Sequence, residues 1–296
     1  MKISRLVSRD FLCLFIIDKL FDIIENVRRI ILYMKTMRDE DFIIDTYRET
    51  TNRKNIKFIG RFFHCYRVMK LTKSFLFKKS WKESFAKDAP PPDFHNDTHH
   101  IMMDVMRVDD SVNSKVTSFE RDKRVIKEQF GMNIKDRPDV RFYFIPDTRD
   151  SNKYNFKGYY DNFNRVIQHH SEKIESYHNN YPKCKKVIFF VCDESNNYVK
   201  VTNKDDLKRE VEKNVRLDDY MIHLCYLDSK FVDVIKNCKA DYVIWYGYYK
   251  AIYINGKLYN YPRAVIYDVK HIKQRLYDYD HTLMFKVKEE ERYKNI

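Results

Sequence analysis

The sequence predicts an α/β fold in which strands and helices alternate around a mostly parallel sheet. Residues 186–192, KVIFFVC, form a continuous apolar run of the length of a strand that is buried on both faces. Segments with apolar residues at helical spacing lie on either side of this run. Near the C-terminus, residues 251–260, AIYINGKLYN, contain the Asn-Gly pair of a two-residue turn, which predicts an antiparallel hairpin.

The α/β region is predicted from a series of strand and helix segments in chain order. A capping box at Thr117 and Glu120 and the glycine at Gly131 mark the ends of one of the helices. The predicted strands cover residues 99–108, 140–145, 186–192, 220–227 and 241–249, and the predicted helices cover residues 117–131, 158–178, 204–215 and 229–237.

A helical, basic and aromatic-rich N-terminal region is predicted to precede the α/β domain. The two regions meet at AKDAPPPD, where three consecutive prolines cannot continue a helix. The predicted domains are therefore residues 1–88 and residues 89–296.

The first 34 residues are predicted to form an amphipathic helix that packs on the protein. Apolar residues recur at helical spacing from Ile16 to Ile31, with charged residues between them. The apolar run from Phe11 to Ile17 is too short to span a bilayer, and no small-residue cleavage site follows it. We therefore expect neither a membrane anchor nor a cleaved signal peptide.

The composition excludes several common classes of site. The chain has 296 residues, 44% of them hydrophobic, which is enough for a sizeable core. Its five glycines fit neither GxxxxGK[ST] nor GxGxxG, so the usual phosphate-binding loops are absent. Its six cysteines have no CxxC spacing, and we expect them to be free thiols in a reducing cytoplasm.

The positive charge is concentrated in one segment. The formal net charge is +13, and the stretch from Arg53 to Lys87 holds eleven Lys or Arg and one Glu, which amounts to +10. Such an excess repels itself unless a polyanion neutralises it, so a nucleic-acid backbone is the predicted partner and an anionic membrane surface is the alternative. Phe58, Phe62 and Tyr66, interleaved with the cations, are predicted to face the core. The predicted nucleic-acid contacts are Arg61, Arg67, Lys70, Lys73, Lys78, Lys79 and Lys82.

Acidic residues in and after the predicted strands are candidate ligands for Mg²⁺ or Mn²⁺. Asp104 lies within an apolar strand, where a buried carboxylate costs several kcal/mol unless it is paired or bound to a metal. Its alternatives are an ion pair with Arg107 or an outward position on an edge strand. A zinc site is a further alternative, with ligands drawn from His95, Asp97, His99 and His100.

Three predicted strands end in acids, at Asp109-Asp110, at Asp147 and at Asp193-Glu194. Parallel strands would bring these acids to one edge of the sheet, where ligands bind in open α/β folds and a two-metal site can form. The alternative is that these residues form turns and helix caps.

The segment from Pro92 to Met106 resembles the PD-(D/E)XK nucleases, the restriction-endonuclease-like superfamily. Pro92-Asp93 precedes the strand acid Asp104 by eleven residues, and the resemblance implies that both acids hold Mg²⁺ as catalytic residues. The family's lysine, two residues after the strand acid, is replaced here by Met106, so the third element of the motif is missing.

These observations together predict a cytoplasmic, divalent-metal-dependent nuclease that hydrolyses phosphodiester bonds. The predicted metal ligands are Asp93, Asp104, Asp109, Asp110, Asp193 and Glu194. The alternative is a non-catalytic nucleic-acid- or protein-binding module, such as a regulator or a mobile-element accessory protein, which the missing lysine favours.

Overall fold

The computed structural model describes residues 39–73, 80–83, 91–112, 155–200, 221–247, 250–254 and 257–286. The helices in these ranges are α1 (Asp39–Thr50), α2 (Phe62–Lys73), α3 (Phe156–Glu172), α4 (Ile174–Asn180) and α5 (Ser229–Asn237). The strands are β1 (Ile56–Ile59), β2 (Lys82–Glu83), β3 (Phe94–Asn96), β4 (Ile101–Val108), β5 (Lys186–Asp193), β6 (Tyr198–Lys200), β7 (Met221–Ile222), β8 (Tyr242–Tyr246), β9 (Ala251–Ile254), β10 (Lys257–Asn260), β11 (Ala264–Asp268) and β12 (Met284–Lys286).

A mixed seven-stranded sheet in the order β1-β11-β8-β5-β4-β3-β2 forms the centre of the fold. The adjacent strands β4, β5 and β8 are parallel to one another. Strand β11 is antiparallel to β8, and β1 is parallel to β11, so β1 and β11 both run opposite to the central strands. The sheet and its helices confirm the predicted α/β class.

Helices cover the sheet on both faces because the central strands are apolar on both faces. Ile188 and Phe190 of β5 point into a core with α1 and α2. Val187, Phe189 and Val191 point into the opposite core, with α3, α4 and α5. The apolar run at residues 186–192 is therefore a buried parallel strand, as predicted.

Two other predicted elements are also confirmed. Helix α5 has the predicted bounds, and the side chain of Asp228 caps it by accepting a hydrogen bond from the backbone N–H of Lys230 at 3.0 Å. Strands β9 and β10 pair antiparallel as the predicted hairpin. They form a separate two-stranded sheet, and β12, β6 and β7 form a three-stranded one.

Residues 220–227 were expected to be one strand, and this expectation was wrong. Strand β7 covers only Met221–Ile222, and Cys225–Leu227 form a 3-10 turn. Between them lies His223, whose buried ring is 2.9 Å from the carboxylate of Asp228.

The sheet contains residues from both sides of the boundary predicted near residue 88. Strand β1 precedes that position and pairs with β11, which follows it. The chain divides into two compact units, Met1–Phe42 with Arg121–Tyr143, and Ile43–Glu120 with Phe144–Ile296. Pro91 and Pro92 immediately precede Asp93 and β3 within the second unit, so the prolines lie between two paired strands of one sheet, β2 and β3.

Several predicted elements lie outside the described residues. They are the N-terminal amphipathic helix at 1–34, the helix at 117–131, the strand at 140–145 and the helix at 204–215. Within the described part of the chain the cysteines are free thiols, as predicted, and Cys65, Cys184, Cys192 and Cys225 are buried.

Gly60 links β1 to α2 at a point where two backbone segments approach closely. Its φ is +110°, a conformation that side chains disfavour. A Cβ at this position would lie 2.8 Å from the Cβ of Asp268. Glycine is therefore required where the end of β1 passes the end of β11.

Replacing Gly60 with Ala should lower the free energy of unfolding by about 1–3 kcal/mol, because the backbone is strained and the new methyl group meets Asp268. Urea unfolding measures this change. Lys54→Ala, at an exposed position in the turn before β1, is the control and should stay within about 0.5 kcal/mol of the parent protein. Equal stability of Gly60→Ala and the parent would contradict the close approach.

Candidate metal centre

Two histidines and an aspartate converge where β1 and β11 end. Asp268 is the last residue of β11, and its Oδ2 lies 2.7 Å from Nδ1 of His64. Its Oδ1 lies 2.9 Å from Nδ1 of His271. We call His64, Asp268 and His271 the triad. The side chain of Asp268 is 5% exposed, whereas those of His64 and His271 are 42% and 28% exposed. The two imidazoles therefore form an open rim above a buried carboxylate.

Each member of the triad is positioned by the local fold. The parallel pairing of β1 with β11 sets Ile59 beside Tyr267, so the chain leaves β1 next to Asp268. Helix α2 then begins at Phe62 and places His64 in its first turn. A 3-10 turn after β11 brings His271 back to the other carboxylate oxygen.

The spacing of the triad suits a bound metal ion. One ligand atom from each residue lies within 4.8 Å of the other two, and within the described residues no other group of three His, Cys, Asp or Glu meets this condition. A tetrahedral Zn²⁺ with bonds of about 2.1 Å has neighbouring ligand atoms about 3.4 Å apart, so the hydrogen-bond distances of 2.7 and 2.9 Å would lengthen by about 0.5–0.7 Å to admit the ion. Two imidazoles and one carboxylate favour Zn²⁺ or another transition ion over Mg²⁺, which prefers oxygen ligands.

The carboxylates predicted from the PD-(D/E)XK resemblance lie side by side but bind protein groups. Oδ2 of Asp93 accepts a hydrogen bond from the backbone N–H of Val105 at 2.8 Å. Oδ2 of Asp104 lies 2.5 Å from Nδ1 of His170 and also accepts a hydrogen bond from the Tyr177 hydroxyl. These contacts engage Oδ2 of each carboxylate. A metal role for Asp93 and Asp104 stays a prediction.

The charge of Asp104 is stabilised by these partners. Burial alone raises the pKa of Asp104, but the hydrogen bond and charge of His170 and the hydrogen bond from Tyr177 bring the pKa below its ordinary value. Burial, with the Asp104 charge, raises the pKa of Tyr177, so its hydroxyl keeps the proton that it donates. The expected alternative, an Asp104–Arg107 pair, is wrong, since Arg107 instead pairs with Glu194 at 2.7 Å.

The acids at the ends of β4 and β5 are brought to one edge of the sheet, where side chains of the protein bind them. Asp109 accepts a hydrogen bond from Asn162 at 3.1 Å. Asp110 accepts hydrogen bonds from Asn196 and Tyr198, both at 2.5 Å. Asp147, the third predicted strand end, lies outside the described residues.

Asp193 accepts hydrogen bonds from the side chains of three other residues. The Tyr159 hydroxyl donates to it at 2.6 Å, the indole of Trp245 at 2.8 Å and the Ser195 hydroxyl at 2.7 Å. The ammonium of Lys250 lies 3.5 Å from Asp193 and donates to Ser195 at 2.7 Å. Lys250 thus supplies a cation at the edge where the sequence predicts a metal.

A small cavity adjoins this buried network. Tyr198, His223 and Tyr261 line it together with Asp193 and Lys250, and it has room for about one water molecule. Such a space is too small for a substrate, and a metal role for Asp109, Asp110, Asp193 and Glu194 stays a prediction.

The histidines before β4 do not assemble a zinc site. Nδ1 of His100 contacts the backbone carbonyl of Lys183 at 2.9 Å. The ring of His95 stacks on Tyr181 with centroids 4.2 Å apart. Asp97 pairs with a lysine, and these residues do not meet the ligand spacing found in the triad.

The predicted nucleic-acid contacts differ in how available they are. Arg61, Arg67 and Lys70 are exposed, on or just before α2. Lys73 donates to the backbone carbonyl of Arg48 at 2.7 Å. Lys82 is exposed but pairs with Asp97 at 2.7 Å, while positions 78 and 79 lie outside the described residues.

Comparisons with protein families, curated proteins and solved structures found no match to this chain. None of the described helices combines the length and the hydrophobicity needed to cross a membrane.

Replacing Asp104 with Asn should reduce stability at pH 7 by about 1.5–3 kcal/mol, the contribution of hydrogen bonds to a charged group. The pKa of Asp104 is lower in the folded protein, so this contribution is present above the unfolded-state pKa and is lost as the pH falls through the folded-state pKa. The difference in unfolding free energy between parent and variant, measured by urea titration from pH 7 to pH 3, should therefore narrow toward low pH.

The control for this measurement is Asp97→Asn, which removes the exposed pair with Lys82 and should cost about 0–1 kcal/mol at pH 7. A destabilisation of Asp104→Asn that does not change with pH would show that the carboxylate charge is not what His170 and Tyr177 stabilise.

Proposed function

We propose that this protein is a divalent-metal-dependent nuclease in which His64, Asp268 and His271 hold the ion. One observation carries the proposal. His64 is a member of the triad and also lies inside the most basic segment of the chain, so a metal-binding group adjoins a phosphate-binding surface.

Exposed cations adjoin the triad on both sides in the sequence. Arg67 follows His64 by three residues on α2, a spacing that places the two side chains on one face. Arg61 precedes the helix and is exposed. On the β11 side, Lys270 lies next to His271; its side chain is 70% exposed, and its ammonium lies 3.8 Å from Oδ1 of Asp241. These cations can hold the phosphate backbone while a phosphate approaches the open rim of the triad.

The chemistry follows from the ligand set. A bound divalent ion polarises a phosphoryl oxygen and lowers the pKa of water. The chain's own contribution is to fix three ligands, to keep Asp268 buried beneath the two imidazoles, and to leave positions open toward solvent. The imidazole ligands favour Zn²⁺ over Mg²⁺.

A non-catalytic nucleic-acid-binding module is the second candidate function. The observation that favours it is the state of the PD-(D/E)XK-like segment. Met106 is buried where that family has lysine, and Asp104 is hydrogen-bonded to His170 and Tyr177.

The test is cleavage of labelled single- and double-stranded DNA and RNA with Zn²⁺, Mn²⁺ or Mg²⁺, and with EDTA. We expect cleavage with Zn²⁺ or Mn²⁺ and none with EDTA. His64→Ala and His271→Ala should each reduce cleavage by more than the roughly 10–100-fold that loss of an outer-shell partner causes. His169→Ala, an exposed histidine on α3, is the control and should cleave like the parent.

Nucleic-acid binding without cleavage under any of these conditions would contradict the enzyme proposal and favour the binding module. Cleavage that survives loss of His64 and His271 but is lost with Asp104→Asn would move the active site to the predicted carboxylates.

A further inference from the structure

We propose that the nucleic acid bound beside the triad is single-stranded, and that Phe63 stacks on one of its unpaired bases. The ligand class rests on the proposed function. What is new is that the substrate is single-stranded and that Phe63 selects it over a duplex.

The observation is an exposed aromatic pair next to a triad residue. Phe63 is 80% exposed and Phe62 is 48% exposed, and Phe63 immediately precedes His64. The other exposed large hydrophobic residues in the described ranges, Val112 and Tyr277, are single residues distant in sequence. The prediction that Phe62 faces the core was wrong, because α2 packs on the sheet through its other side.

Phe63 shares one exposed stripe of α2 with two cations. Phe63, Arg67 and Lys70 are spaced at i, i+4 and i+7, which aligns them along the helix, and all are exposed. The opposite side of the helix is buried against β1 and β11 and includes Cys65, Val68, Met69, Leu71 and Thr72. The solvent face therefore offers one aromatic ring followed by two phosphate-binding side chains.

The neighbouring rings hold this surface in place. Phe62 stacks on Tyr66 with centroids 5.9 Å apart and an interplanar angle of 12°. The guanidinium of Arg53 lies 5.5 Å from the centre of the Phe62 ring. The ring of Phe63 contacts the ring of Phe62 edge to face, with an interplanar angle of 84°. Phe63 therefore projects from a cluster of packed side chains.

The preference for single-stranded nucleic acid follows from the parts of the ligand that the cations and Phe63 contact. Cations bind the backbone of single and double strands alike, whereas the bases of a duplex are stacked on one another and cannot cover a protein ring. An unpaired base is free to stack on an aromatic side chain, and base–aromatic stacking contributes roughly 5- to 150-fold in affinity per base. An aromatic ring in line with cations therefore selects single strands.

An anionic membrane surface is the competing ligand for exposed Phe beside Lys and Arg. A helix that lies on a membrane inserts an apolar face and keeps its cations at the edges. On α2, Arg67 and Lys70 lie in line with Phe63, so inserting the ring would carry two charges toward the lipid chains. The arrangement favours nucleic acid.

The experiment measures binding of a fluorescent 20-nucleotide strand and of its duplex, in EDTA so that neither metal nor cleavage contributes. The parent protein should prefer the single strand. Phe63→Ala should lose roughly 5- to 150-fold in single-strand affinity with little change for the duplex, and Phe63→Trp should keep the preference. Tyr277→Ala, another exposed aromatic residue, is the matched control and should bind like the parent.

The double variant Arg67→Gln and Lys70→Gln should weaken binding to both substrates and flatten the salt dependence. Unchanged single-strand affinity in Phe63→Ala, or an equal loss for strand and duplex, would overturn the inference. The same variants are also tested for binding to phosphatidylglycerol vesicles. If Phe63→Ala lost binding to these vesicles but kept its affinity for the single strand, the ring would be assigned to a membrane surface and the inference would be overturned.

The two proposals fail separately. A single-strand preference that depends on Phe63, without cleavage in any metal, would refute hydrolysis and support this inference. Metal-dependent cleavage of duplexes and single strands at equal rates, unchanged in Phe63→Ala, would overturn this inference and support the proposed function. Absence of nucleic-acid binding by the parent protein would overturn both.

Discussion

The parallel pairing of β1 with β11 is the constraint on which the candidate site depends. It places residues that are 204 positions apart, His64 and Asp268, 2.7 Å from each other. The close approach is possible because Gly60 has no side chain to meet Asp268. The same pairing joins the basic segment to the sheet, so its exposed cations and aromatic rings adjoin the triad and are not part of a separate domain.

The two edges of the sheet hold their acids in different ways. Where β4, β5 and β8 end, Asp193 and Asp110 are buried, and Tyr, Trp, Ser, Asn and Lys side chains bind them. A buried hydrogen-bond network of this kind rigidifies a fold. Where β1 and β11 end, Asp268 is buried but its partners, His64 and His271, face solvent. The side chains of His64 and His271 are the more exposed, and for this reason we propose the chemistry at the second edge.

The sequence was a good guide where local pattern decides structure. The apolar run of β5, the capped helix α5 and the hairpin of β9 and β10 all formed as predicted, because spacing and turn chemistry specify them locally. The sequence left open whether Asp104 is buried, and its partners His170 and Tyr177 come from a helical region 66 and 73 residues later, which spacing alone does not reveal. The triad was missed because β1, only four residues long, lies in a segment expected to be helical. The one local signal was Asp268 and His271, three residues apart after an apolar strand.

The central claim is that a metal ion binds at the triad, and anomalous diffraction from crystals soaked in Zn²⁺ or Mn²⁺ tests it most directly. The account predicts a peak about 2.0–2.2 Å from Nδ1 of His64, a carboxylate oxygen of Asp268 and Nδ1 of His271. A peak between Asp93 and Asp104, with none at His64, Asp268 and His271, would contradict the account.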